Sequence, residues 1–246
     1  MFESECAAGV LRASRPGTRW LTTGFAGGYE TADAAANVSV PTGFDRTDLQ
    51  AYVTERRERA GFEETGPAML TGVDLRHARR ARLDGVEVIA TAGLSNPAAL
   101  PMPEGSESVA PSRTAQSEPG DDPPRPGTVN LLVGTTRALD DGALATLLGT
   151  AVEAKTATVL AATGFTGTTS DAVIVGSDPS GEPAPFAGSA TPVGRAVRLC
   201  VRDAVRASLG ARYDAAETDD EIPESVAAAD YGVVSNGEPT VSRVGE

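Results

Sequence analysis

Between residues 140 and 171 the chain repeats apolar side chains at helical spacing, and that repeat fixes its largest single element. Leu144, Leu147, Leu148, Ala151, Val152, Val159 and Ala162 recur at i, i+3 and i+4, the period of one helix face. Such a stripe must lie on another layer, because burial of its apolar side chains is what stabilises it. Asp140 or Asp141 is expected to cap the helix, since a short carboxylate accepts from the unpaired N–H groups of the first turn. A turn-rich segment follows, Thr163-Gly164-Phe165-Thr166-Gly167-Thr168-Thr169-Ser170-Asp171. Near the middle of the apolar stripe stands Lys155, the one lysine in the chain; the other 20 basic residues are arginine. An ammonium there is costly to bury unless paired or neutralised. It reads either as half of a buried ion pair with a nearby carboxylate or as a catalytic or substrate-anchoring amine.

Around this helix the patterns alternate between strand and helix without strict βα order. Residues 9–14 and 19–23 read as two short strands around a Pro16-Gly17 turn, followed by the glycine-rich Thr23-Gly24-Phe25-Ala26-Gly27-Gly28. Residues 36–40, 69–73, 86–92, 127–133 and 172–175 read as further strands. Residues 45–60 form an amphipathic helix with Leu49, Tyr52 and Val53 inward and a Glu55–Arg59 pair. Residues 74–84 suit a short helix or a hairpin arm and carry the lone His77, which is expected to be exposed. Residues 193–209 form a second long amphipathic helix, with Val197, Val201, Ala204 and Val205 inward. Residues 101–127 differ in kind: seven prolines among Ser, Glu, Asp and Gly cannot bury a core and read as a disordered surface insertion. The expected organisation is one domain over residues 1–213 interrupted by that insertion. An acidic tail, residues 214–246, is ordered at most in part, with a strand at residues 231–234. The expected fold is a single α/β (or α+β) domain, a mixed β-sheet with flanking helices layered helix–sheet–sheet–helix.

Charge narrows the function. A formal net charge of −13 disfavours nucleic acid, whose phosphates call for clustered basic residues. Excess acid with almost no lysine points to a high-salt cytoplasm, where a dense carboxylate surface stays hydrated. Two cysteines make no disulfide framework. The acidic N-terminus lacks the basic and apolar regions of a signal peptide, and no apolar run reads as a membrane span. The expected setting is cytoplasmic, without membrane or nucleic-acid partners, and homo-oligomer formation stays open.

The common catalytic motifs are missing. One histidine and two distant cysteines supply no ordinary zinc set, so no metal is expected. No Gly-x-Ser-x-Gly elbow, Walker loop or Gly-x-Gly-x-x-Gly fingerprint occurs. What remains is a set of small polar residues at strand ends or beside glycines: Asn37, Asn96, Asn130, Glu153, Lys155, Thr168 and Asp171. Such groups can move protons, orient water and stabilise an oxyanion. On a continuous helix Glu153 lies ~160° around from Lys155, so the two act together only if the helix is buried on both faces or ends near them.

Six motifs in order resemble the adenosylcobinamide amidohydrolase (CbiZ) family. They are Thr23-Gly24-Phe25-Ala26-Gly27-Gly28, Asn37-Val38-Ser39-Val40, Thr91-Ala92-Gly93-Leu94-Ser95-Asn96, Gly127-Thr128-Val129-Asn130, Glu153-Ala154-Lys155 and Thr166-Gly167-Thr168-Thr169-Ser170-Asp171. The chain departs from the pattern at Ala26, where Asn is expected, and at Met69-Leu70-Thr71-Gly72, where a Met-Thr-Ala-like run is expected. The resemblance implies hydrolysis of the amide joining the corrin ring of adenosylcobinamide to its aminopropanol arm. The product would be adenosylcobyric acid, for coenzyme B12 salvage. The corrinoid is then the substrate and no cofactor is expected; the alternative is a corrinoid-binding or transfer protein without chemistry. The expected catalytic residues are Lys155, Asp171, Thr168 and Glu153. Gly27, Gly28, Asn37, Ser95, Asn96, Thr128, Asn130 and Gly167 are the expected substrate contacts.

Overall fold

The computed structural model describes residues 1–102, 127–214, 221–237 and 239–245. The proline-rich insertion expected at residues 101–127 lies, apart from its ends, outside the described residues. The strands are β1 (Glu3–Ala7), β2 (Val10–Thr22), β3 (Gly28–Ser39), β4 (Ala68–Thr71), β5 (Arg79–Leu83), β6 (Val86–Ala92), β7 (Pro97–Ala99), β8 (Val129–Thr135), β9 (Gly167–Thr168), β10 (Val173–Ser177) and β11 (Val233–Val234). The helices are α1 (Leu49–Ala60), α2 (Asp141–Thr163) and α3 (Pro192–Tyr213). The main sheet runs β4-β3-β2-β10-β8-β6-β5, with β1 folded against β2. It is mixed: β3/β4 and β8/β10 are parallel and the other pairs antiparallel. This is the single mixed-sheet α/β domain that the sequence predicts.

The main local difference lies at Pro16-Gly17. Instead of a turn between two strands, β2 runs straight through as one long strand against β3. Its register jumps from Ser14↔Ala34 to Thr18↔Ala32. Pro16 has no N–H for a ladder and Gly17 sits at φ +69, so the pair makes a bulge. The bulge lets one strand serve two layers. Leu11, Ala13, Trp20 and Ala35 pack across onto Ile89, Leu132 and Ile174 of the other half of the sheet. Strands β3 and β8 stand three places apart in strand order, which on a flat sheet means a separation of roughly 14 Å. Yet Asn130 of β8 donates to Asn37 of β3 at 3.2 Å. The sheet is therefore folded over on itself, and one sheet supplies both inner layers of the helix–sheet–sheet–helix arrangement. Helix α1 covers one outer face through Tyr52 and Val53 on Val10, Ala36 and Val38. Helices α2 and α3 cover the other through Leu144, Leu147, Val197 and Val201 on the outward side chains of β6, β8 and β10.

Local chemistry sets the helix ends. Asp140 accepts from the Ala143 N–H, and Gly164 closes α2 in the left-handed conformation; Thr191 caps α3, which opens on Pro192. Helix α2 is long and apolar enough to cross a membrane by length and hydropathy, but its stripe here packs on the sheet and on α3. The expected Glu55–Arg59 pair gives way to Glu55 with Arg46. Residues 74–84 combine both expected forms, a 3-10 turn at Leu75–His77 and then β5 as a hairpin arm of β6. His77 is half-buried rather than exposed, with its pKa lowered by burial. Near the C-terminus β11 pairs parallel to β7, and β7 pairs antiparallel to β9. This small three-stranded sheet holds Gly167 and Thr168 in an extended backbone.

Candidate active site

The α2 stripe delivers Lys155 to the start of β10, where it forms an ion pair with Asp171. The two side chains are 8% and 11% exposed, so the pair is almost wholly desolvated. Four donors converge on the one carboxylate. Asp171 Oδ1 accepts from the Val129 N–H at 2.8 Å and from the Thr168 hydroxyl, while Oδ2 accepts from Lys155 Nζ and from the Thr168 N–H at 3.2 Å. A carboxylate offers about four lone-pair directions, and all are taken. Thr168 gives this carboxylate both its hydroxyl and its N–H. Of the two readings of Lys155, the buried ion pair is the one the geometry shows.

Gly167 is what lets the cluster close. A Cβ built there would lie 2.5 Å from Asp171 Oδ2 and 3.5 Å from Lys155 Nζ. The carboxylate is pinned by its other donors and has no free direction in which to retreat. Gly167→Ala is accordingly expected to displace it. A misplacement of about 1 Å at a reacting group costs up to roughly 10²-fold in rate. Steady-state kinetics on the variant check this, and wild-type turnover would show that the carboxylate's position is unimportant.

Asp171 also lines a cleft of about 480 Å³ together with Thr23, Gly24, Thr71, Thr128 and Ser170. Phe25, Val40, Phe44, Leu49, Met69 and Leu70 supply apolar lining. Beneath the cleft a buried polar ladder ties the two sheet layers together. Asn130 Nδ2 donates to Asn37 Oδ1 and to the Leu70 carbonyl at 2.7 Å, Asn130 Oδ1 accepts from the Ala172 N–H at 3.0 Å, and Asn37 Nδ2 donates to Thr91 Oγ1 at 3.0 Å. Asn37 and Asn130 are 2% and 0% exposed. They hold the scaffold rather than a substrate, because their amide groups are committed to protein partners.

The other sequence candidates separate. Glu153 faces out of α2 and pairs with Arg198 of α3; a two-residue step on a helix puts it on the side opposite Lys155, so it does not join the cluster. Gly27, in the turn after β2, and Gly28, the first residue of β3, are exposed and outside the residues that line the cleft. Ala26, beside them, sits at φ +52, a left-handed position that Asn enters more readily than Ala; this accounts for Asn being the residue expected there. Asn96 donates to Thr169 Oγ1, and its carbonyl accepts from the Thr169 N–H at 3.2 Å, bracing the loop before Asp171. Ser95 is half-buried in the same turn, away from the cleft lining. Thr128 does line the cleft. Thr71, Phe25, Phe44 and Ser170 were not among the expected site residues: Phe25 and Ser170 lie within quoted motifs but were not singled out, and only the folding of the sheet brings the four to one place.

Neither thiol is a ready nucleophile. Burial pushes Cys200 up to about 11, with Asp203 and Asp84 adding to it, and Cys6 is likewise raised, mainly by burial. Among the described residues no three His, Cys, Asp or Glu side chains group to hold a metal ion.

Residues 1–217 match the family of adenosylcobinamide amidohydrolases. An adenosylcobinamide amidohydrolase of Halobacterium salinarum is 50% identical over 245 residues, covering 99% of this chain and 100% of the relative. One of Methanosarcina mazei is 27% identical over 202 residues, covering 78% of this chain and 90% of the relative. With the family match spanning nearly all of the folded core and half of all positions shared with a relative along its full length, this chain belongs to the adenosylcobinamide amidohydrolase family.

Proposed function

We propose that this protein hydrolyses the amide joining the aminopropanol arm to the corrin ring of adenosylcobinamide. The products are adenosylcobyric acid and free aminopropanol, and the acid re-enters coenzyme B12 assembly as salvaged corrinoid. The observation that carries this reading is Asp171, which lines a cleft of mixed apolar and polar residues and is held from behind by buried Lys155 and by Thr168. The apolar lining suits the edge of a flat macrocycle and the polar lining suits its amide-bearing rim. The open cleft receives the arm and one edge of the ring.

An unactivated amide needs a nucleophile, an oxyanion donor and a proton for the leaving nitrogen. Water adds its oxygen to the amide carbon as its proton passes through the Thr168 hydroxyl to Asp171 Oδ1. Lys155 gives a proton to the aminopropanol nitrogen as the C–N bond breaks. Asp171 then returns its proton to Lys155 across their ion pair, which resets the site with no net change on the enzyme. The backbone around Gly167 keeps the three groups in register.

Incubating the protein with adenosylcobinamide and following aminopropanol and corrinoid products by mass spectrometry tests this directly. Stoichiometric release of aminopropanol with a corrinoid acid is expected. Corrinoid binding without release would make the protein a carrier instead.

A further inference from the structure

The floor of the cleft holds two hydroxyls bonded to each other. Thr71 Oγ1 and Thr128 Oγ1 are 2.7 Å apart, on residues only 1% and 4% exposed. The Val73 N–H donates to Thr71 Oγ1 at 3.0 Å. A threonine hydroxyl carries one proton and two acceptor lone pairs. Two hydroxyls bring two protons, and the bond between them uses one. The second proton has no acceptor among the described residues. A buried donor without an acceptor is unfavourable, and both side chains face the cleft that Asp171 lines. The spare proton is therefore offered to whatever occupies the cleft.

Val73 favours one direction for the chain. Its N–H fills one lone pair of Thr71. If Thr71 then donates to Thr128, each hydroxyl accepts once, and each bond polarises the next. The reverse order makes Thr71 accept twice and leaves Thr128 accepting nothing. The first order leaves the free proton on Thr128. Thr128 also adjoins Val129, whose N–H holds Asp171 Oδ1, so the free donor sits beside the proton-transfer cluster.

We infer that Thr128 donates to the carbonyl oxygen of the scissile amide and stabilises the oxyanion, with Thr71 as the positioning residue that aligns it. This rests on the amide hydrolysis proposed above. It also gives Thr71 a specific role: an apolar residue there would leave the Val73 N–H unpaired and Thr128 unaligned.

Thr128→Val removes the donor at nearly constant volume. Loss of one oxyanion donor lowers kcat by about 10²–10³-fold, with little change in KM, since the bond strengthens only as charge develops. Thr71→Val is expected to lose less, and Thr71→Ser, which restores the hydroxyl, to recover most of that loss. Should Thr128→Val fail to fold, Thr128→Ala gives the same readout. Wild-type kcat in the Thr128 variant, or a loss confined to KM, would overturn the donor role while leaving amide hydrolysis in place. A wild-type protein that releases no aminopropanol would overturn the hydrolysis itself.

Discussion

Lys155→Met is expected to lower kcat by about 10²–10⁴-fold, the range for removing a proton-transfer group. Methionine keeps the apolar stem in the α2 stripe and removes only the ammonium. The fold also feels the change. Asp171 is 11% exposed at its side chain and would lose the one positive charge that pairs with it among the described residues. Breaking a buried pair from one side typically costs about 3–5 kcal/mol. Three hydrogen bonds remain on the carboxylate, which places the cost toward the lower end. Pairing Lys155→Met with Asp171→Asn separates the two effects. With both charges gone, the melting temperature should rise back toward wild type while turnover stays lost. Lys155→Arg distinguishes the two chemical roles. A guanidinium does not give up its proton at working pH, so proton transfer predicts no rescue, whereas a fixed charge predicts partial rescue. Aminopropanol release by Lys155→Met at the wild-type rate would remove Lys155 from the mechanism and leave the pair purely structural.

Asn130→Leu should unfold the protein more readily than any substitution in the cleft. The side chain satisfies the Ala172 N–H, the Leu70 carbonyl and Asn37 Oδ1 at once, at 0% exposure. Each buried group left unpaired costs about 1–3 kcal/mol, so the loss of all three is about 3–9 kcal/mol. In a domain of this size, at about 2–4 °C per kcal/mol, that corresponds to a drop of roughly 6–36 °C in Tm. Asn130→Asp should be at least as harmful: it keeps an acceptor for Ala172 but loses both donated bonds and buries a charge. Thermal unfolding followed by circular dichroism measures both variants. A shift of only a few degrees would mean that the two sheet layers are held without this ladder.

Much of the local structure was legible in the sequence because it is governed by period and capping. The α2 stripe, its Asp140 cap, the inward valines of α3 and the fully buried run of β6 all follow from side-chain spacing that neighbouring residues enforce. Lys155 stood out for the same reason, as a charge on an apolar face. Its closeness to Asp171 was half legible: the loop that follows α2 is short, and a carboxylate at its end is one of few groups within reach. The opposite orientation of Glu153 was fixed by helix geometry before any tertiary contact.

What the sequence by itself determined is therefore the three long helices, most strands of the main sheet, the mixed-sheet class and a buried lysine that needs a partner; β1, β7, β9 and the first half of β3 were not read from it. The tertiary structure alone decided that β2 passes through Pro16-Gly17 as a bulge and that the sheet folds over on itself. That folding, and nothing local, brings β3, β4 and β8 together, turns Asn37 and Asn130 into inter-layer ties, and sets Thr71 against Thr128. The physical reason is range. Helical and capping interactions span a few residues and leave a periodic trace, whereas Thr71 and Thr128 are 57 positions apart and Asn37 and Asn130 are 93 apart. Pairs so distant are selected by packing of the whole core, and no pattern along the chain records them.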